Sequence, residues 1–105
     1  MSFRVIIERK FKEPITAEIL EVVDGIRIKA LRHRGYIGGE TMVNVEDDRE
    51  LIVISSWSNV DDWKIWYDTK EWKELEKKLA PHLQESVRIR VFMPGADHEA
   101  RVSPK

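Results

Sequence analysis

The sequence predicts an α+β fold of the ferredoxin-like type, in which the order βαββαβ builds a four-stranded antiparallel sheet. Apolar and charged residues alternate with a period of two at 3–11 and again at 87–91, as in strands with one buried face. Between these strands, two segments with helical apolar spacing, 16–33 and 58–81, flank a pair of strands. This order of elements leaves few other topologies open.

The first strand leads into a helix that has recognisable start and stop signals. Thr16 follows a proline and is a suitable N-cap. Helical spacing then continues to about His33, and Gly35 ends the helix. The apolar residues on this spacing are Ile19, Val22, Val23, Ile26, Ala30 and Leu31.

The middle of the chain predicts a hairpin followed by a helix in two parts. Tyr36–Val45 and Leu51–Trp57 are predicted strands, joined by the polar turn Glu46–Glu50. Ser58–Asp61 resembles a capping box at the start of the second helix. The same signal recurs at Asp68–Glu71, so we expect a break near Asp68.

The apolar run Leu51–Ile54 predicts a homodimer. Consecutive apolar residues indicate that both faces of this strand are buried. Helices of one chain cover only one face of a four-stranded sheet. A second copy that packs sheet on sheet would cover the other face.

Composition narrows the class of protein. The chain has 105 residues, of which 42% are hydrophobic and 35% are charged, as is typical of one globular domain. We expect this domain to span residues 1–94, followed by a flexible tail at 95–105. A net charge of -1 gives no electrostatic basis for binding nucleic acid. No apolar stretch is long enough to predict a membrane span. The absence of cysteine excludes thiolate sites and fits a cytoplasmic location.

The motifs Gly35–Glu40, Ser56–Ser58 and Trp66-x-x-Thr69 give a resemblance to a known family. In this order they are similar to the antibiotic biosynthesis monooxygenase family, over about residues 3–93. The resemblance implies a dimeric α+β barrel. It also implies oxidation of a small aromatic, a quinol or an anthrone, by dioxygen without a cofactor.

A heme-degrading branch of that family can be compared residue by residue. Trp66 matches its tryptophan, but Glu76 stands where that branch has its histidine ligand. The first strand contains no asparagine, and Arg9 lies near the expected place. A carboxylate is a poor replacement for imidazole at iron, so we expect no heme cofactor. The three histidines of the chain lack the spacing of metal ligands, so we expect no bound metal either.

Three residues are the candidates for binding a substrate: Trp66, Trp63 and Arg9. The tryptophans lie three positions apart in the second helix and could stack on a flat ligand or fill the core. Arg9 is in phase with the inward residues of its strand. It could bind an anionic phenolate or carboxylate, or it could pair with a glutamate.

The remaining polar candidates point less clearly to a site. His33, His82 and His98 are far apart and lack the spacing of metal ligands. We expect Asn44 near its turn and Asn59 at a helix start. No residue is identified as a catalytic base, so two functions stay open: a monooxygenase, and a non-catalytic ligand-binding or regulatory dimer of the same fold. Heme binding without turnover, with His33 or His82 as the axial ligand, is a third and weaker alternative.

Overall fold

The computed structural model describes residues 2–96 and confirms the predicted fold class. The element order is β-α-β-β-α-α-β, so the second helix is divided as expected. The elements are β1 Phe3–Lys10, α1 Ala17–Ala30, β2 Tyr36–Asn44, β3 Asp47–Trp57, α2 Val60–Tyr67, α3 Lys70–Leu79, a 3₁₀ turn Ala80–His82, and β4 Arg88–Phe92. His98 and the predicted tail beyond 96 lie outside the described residues.

The sheet has the antiparallel strand order β2-β3-β1-β4. Its two central strands pair in a register that places Val5 opposite Ser55 and Ile7 opposite Val53. Because side chains alternate along a strand, these residues share the face that the helices cover. The core therefore lies in a single layer between the helices and this inner face.

Side-chain caps set the helix starts. The Thr16 hydroxyl accepts a hydrogen bond from the Ile19 N–H, as the sequence predicts. At the second start, Asn59 is the N-cap and accepts from the Asp62 N–H, so Ser58 is not the cap. At the break, Thr69 is the cap of α3 and accepts from the Trp72 N–H.

The predicted turn Glu46–Glu50 is wrong in extent. β2 ends at Asn44 and β3 begins at Asp47, which leaves only two residues in the turn. Asn44 pairs with Asp47, and its side-chain oxygen accepts from the Glu46 N–H at 2.8 Å. The charged side chains of residues 47–50 suggest a turn in the sequence. In the structure these side chains are accessible to water, while the backbone is part of β3 and its end pairs with β1.

The outer face of the sheet has no helix against it among residues 2–96. Leu51 and Val53 are buried on the inner face, whereas Ile52 and Ile54 are only half-buried on the outer face. Met42 and Phe92 at its margins are 45% and 43% exposed. The sequence predicts that both faces of this strand are buried. Within a single chain only the inner face is fully buried.

None of the helices within residues 2–96 has the length and apolar content needed to span a bilayer. The cytoplasmic location stays a prediction.

The turn between α1 and β2 depends on a glycine, which gives a first prediction. Gly35 has φ of +87°, and a Cβ there would overlap the Asp62 side chain. We expect Gly35→Ala to destabilise the fold by about 1–3 kcal/mol in urea unfolding. The matched control is Gly25→Ala within α1, where a Cβ meets nothing within 4 Å. It should stabilise by about 0.5–1 kcal/mol. Equal shifts in the two variants would contradict the argument.

Candidate functional site

A small cavity lies between the helices and the inner face of the sheet. Its volume is about 20 Å³, which holds about one water molecule. Its walls come from β1, α1, β2, β3, α2 and α3. The lining residues are Ile7, Arg9, Val23, Ile26, Arg27, Ala30, Tyr36, Val53, Ser55, Trp57, Trp63, Trp66 and Trp72. All three candidates, Trp66, Trp63 and Arg9, therefore lie on one cavity.

Four tryptophans form a continuous aromatic wall of this cavity. Trp63 makes edge-to-face contacts with Trp57 at 5.9 Å and with Trp72 at 5.6 Å between ring centroids. Trp66 meets Trp72 at 6.1 Å. All four are buried, so they are core residues as well as cavity walls. Ligand binding by Trp63 and Trp66 stays a prediction.

Trp66 is covered on one side by His33. The two ring centroids are 4.6 Å apart, and the rings are tilted by 50°. His33 is half-buried in the turn after α1, which ends at Ala30. The sequence placed this histidine at a helix end but gave no signal of the contact with α2, because the two residues are distant along the chain.

Arg9 is a buried cation with one direct counterion. Its guanidinium donates through Nη2 to Glu76 Oε1, and the side chains are 1% and 18% exposed. The guanidinium carbon also lies 5.9 Å from the centroid of Trp72. Its Nε is buried and has no hydrogen-bond partner among residues 2–96. The ion-pair alternative for Arg9 is observed, and one donor of the same group has no partner within residues 2–96.

Tyr36 and Arg27 add polar groups that the sequence did not indicate. The strand register shifts between Tyr36 and Gly38, so Tyr36 and Gly39 both face inward and simple alternation misplaces them. Arg27 Nη1 donates to the Gly39 carbonyl at 2.9 Å. Burial raises the pKa of the Tyr36 hydroxyl, and the Arg27 charge opposes that rise. At neutral pH the hydroxyl is therefore a hydrogen-bond donor rather than a base.

An open groove of about 680 Å³ lies next to the cavity. Trp72 lines both the cavity and the groove. Arg9 lines the cavity and forms its ion pair with Glu76, which lines the groove. Trp72 and this ion pair therefore separate the two spaces. The groove residues are Tyr67, Trp72, Lys73, Glu76, Lys77, Ala80, Leu83, Glu85, Ser86 and Val87.

The other polar candidates lie away from the cavity or serve the fold. Asn44 and Asn59 bond to backbone N–H groups in the hairpin turn and at the helix start, as predicted. His82 is exposed in the 3₁₀ turn. Within residues 2–96, no three His, Asp or Glu side chains form a group that could hold a metal ion.

The residues do not fit a heme group. The Glu76 carboxylate, which stands at the ligand position of the heme-degrading branch, is the counterion of Arg9. The cavity of about 20 Å³ is also far smaller than a porphyrin.

Comparisons with known proteins agree with this architecture. The family model described as "Antibiotic biosynthesis monooxygenase" matches residues 2–78. A search of curated protein sequences gives no match.

Solved structures with low sequence identity share the fold. A Nitrosomonas europaea protein, provisionally named an antibiotic biosynthesis monooxygenase, is 12% identical with a TM-score of 0.81, over 90% of each chain. SnoaB of Streptomyces nogalater, described as a cofactor-independent oxygenase, is 12% identical with a TM-score of 0.78, over 89% of this chain and 92% of SnoaB. A conserved protein of Methanosarcina mazei is 16% identical with a TM-score of 0.79, over 88% of this chain and 91% of its own.

The buried ion pair gives a second prediction. Glu76→Ala leaves the Arg9 guanidinium buried without its counterion, so we expect a loss of about 2–4 kcal/mol in unfolding free energy. The matched control is Glu74→Ala on the same helix. Glu74 meets Lys70 at 3.8 Å with both side chains exposed, so its removal should cost within about 0.5 kcal/mol. Similar losses in both variants would show that the Arg9 contact does not stabilise the fold.

Proposed function

The chain belongs to the antibiotic biosynthesis monooxygenase family, and on that premise we propose that it is a cofactor-independent monooxygenase acting on a small aromatic quinol or anthrone. The observation that carries the proposal is the aromatic-walled cavity with a buried, permanently charged arginine in its lining. Flat rings can stack on such a wall, and the cation favours a ligand in its anionic form.

The chemistry requires only a substrate that is easily oxidised. Once an anthrone loses a proton from its ring CH₂, the carbanion reduces dioxygen and a C–O bond forms at that carbon. The O–O bond then breaks, one oxygen atom stays as a ketone, and the other leaves as water with the two hydrogens. The protein needs to bind the anion, orient it and exclude water.

We assign the roles within this reaction from the positions of the side chains. Trp66 and Trp63 would orient the ring, and Arg9 would stabilise the anion. The neutral Tyr36 hydroxyl would donate a hydrogen bond to a substrate oxygen. Since the closed cavity holds about one water, binding requires Trp72 and the α2–α3 junction to move outward and join cavity and groove.

The same proposal includes a homodimer built on the outer sheet face. The half-buried residues Ile6, Ile52 and Ile54 form the centre of this face. Arg4 and Glu8 stand among them on alternate positions, so the face is apolar at its centre and charged around it. A second copy would remove this apolar centre from water.

A non-catalytic binding or regulatory dimer is the second candidate function. It is favoured by the cavity lining, which contains no imidazole or carboxylate that could act as a base among the described residues.

Oxygen uptake tests the catalytic proposal. We expect the protein to accelerate oxygen consumption by dithranol, a hydroxylated anthrone, above its rate of autoxidation. Trp66→Ala should weaken dithranol binding by roughly 1–3 kcal/mol, the value of a buried aromatic contact.

The control is Ile65→Ala, a neighbouring position on α2 that is 62% exposed. Folding must be measured alongside, because removing a core tryptophan can cost about 3–5 kcal/mol. Binding of dithranol without faster oxygen uptake would favour the non-catalytic dimer. A large loss of stability with unchanged binding would show that Trp66 is only a core residue.

Sedimentation tests the dimer. We expect about twice the chain mass at micromolar concentration, and we expect Ile54→Arg to give the monomer, since a charge would be buried at the centre of the interface. Ile65→Arg is the control, because that helix position is exposed away from the sheet. A monomeric wild-type protein, or dissociation by both variants, would contradict the sheet-on-sheet arrangement.

A further inference from the structure

We propose that the ligand of this site is an aromatic anion whose carboxylate or phenolate replaces Glu76 as the counterion of Arg9. The inference rests on the proposed function for the location of the site and the charge of the ligand, and it adds the exchange of one counterion of Arg9 for another. Glu76 would then be an internal competitor that occupies the anion position until a ligand arrives.

Arg9 is the fixed half of this exchange. It lies on the central strand β1, its side chain is 1% exposed, and a guanidinium does not lose its charge in proteins. A buried charge of this kind is costly unless it is paired with an anion. In this structure Glu76 is that anion.

Glu76 is the exchangeable half. Its side chain is 18% exposed and lines the open groove, so the carboxylate can leave Arg9 and remain in contact with water. Lys73, Lys77 and Glu85 line the same groove. With Glu76 paired to Arg9, the two lysines outnumber the one remaining carboxylate and would attract an incoming anion. The competing anion is therefore the one charged group of the pair that is accessible from outside.

The unused donor on Arg9 gives a ligand an advantage over Glu76. Glu76 is bonded to Nη2, whereas the buried Nε has no partner among residues 2–96. A carboxylate approaching the Nε edge can bond to both nitrogens in the bidentate geometry that arginine favours. An attached ring would lie beside Trp72, which contacts the guanidinium and borders both the cavity and the groove.

Calorimetric titration with naphthoate and its neutral amide, naphthamide, tests the exchange. Wild-type protein should prefer naphthoate. Glu76→Gln removes the competing charge and keeps the shape, so it should raise naphthoate affinity roughly tenfold or more, the effect of one charge-assisted hydrogen bond. Naphthamide affinity should hardly change. Glu74→Gln, on the same helix and exposed, is the matched control and should leave both affinities as in wild type.

Two further measurements distinguish counterion exchange from misfolding as the cause of a changed naphthoate affinity. Naphthoate should raise the melting temperature of Glu76→Gln more than that of wild type, because it restores the missing counterion. Arg9→Met should abolish the preference for naphthoate. Equal affinity for the two probes in wild type, or weaker naphthoate binding by Glu76→Gln, would overturn the proposal.

Naphthoate is not oxidised, so this test is independent of turnover. Failure of the exchange with intact oxygen uptake by dithranol would overturn only the counterion proposal. Successful exchange without oxygen uptake would overturn only the monooxygenase proposal.

Discussion

The ion pair between Arg9 and Glu76 connects the sheet to α3 across 67 positions of sequence. Its location explains much of the surrounding structure. A guanidinium at this depth needs an anion, and Glu76 provides it. The ring of Trp72 also lies beside the guanidinium, and both residues line the cavity. The same requirement that stabilises the fold keeps a permanent positive charge beside a space walled by aromatic rings.

Core and site are not separate in this molecule. The tryptophans that line the cavity also pack the single layer between helices and sheet. Any ligand larger than one water must therefore be accommodated by movement of core residues. In a domain this small, whose core is one layer thick, binding and folding stability are coupled through the same side chains.

Most of the fold could be predicted because its signals are local. Strand alternation, the Thr16 cap and the break before α3 depend on residues a few positions apart. The inward phase of Arg9 follows from the same alternation. The turn of the hairpin was predicted too long because Asp47–Glu50 are charged. Charge suggests a turn, although the backbone of this segment pairs with neighbouring strands.

The site was predicted only in part, because its missing members depend on distant contacts. Tyr36 faces the cavity through a register shift that alternation cannot reveal. His33 reaches Trp66, and Glu76 reaches Arg9, only after helices and sheet have packed together. Spacing along one element identifies which side chains share a face, but not which element lies opposite.

The strand order has a consequence for synthesis on the ribosome. β1 is made before the other three strands of this sheet, and one of its edges is completed by β4, the last of the four in sequence. A nascent chain that has already formed the β2–β3 hairpin still exposes the β4-facing edge of β1, with its unpaired N–H and C=O groups, until residues 88–92 emerge. Completion of the sheet therefore waits for β4, and the growing chain is most open to unwanted strand pairing just before residues 88–92 emerge.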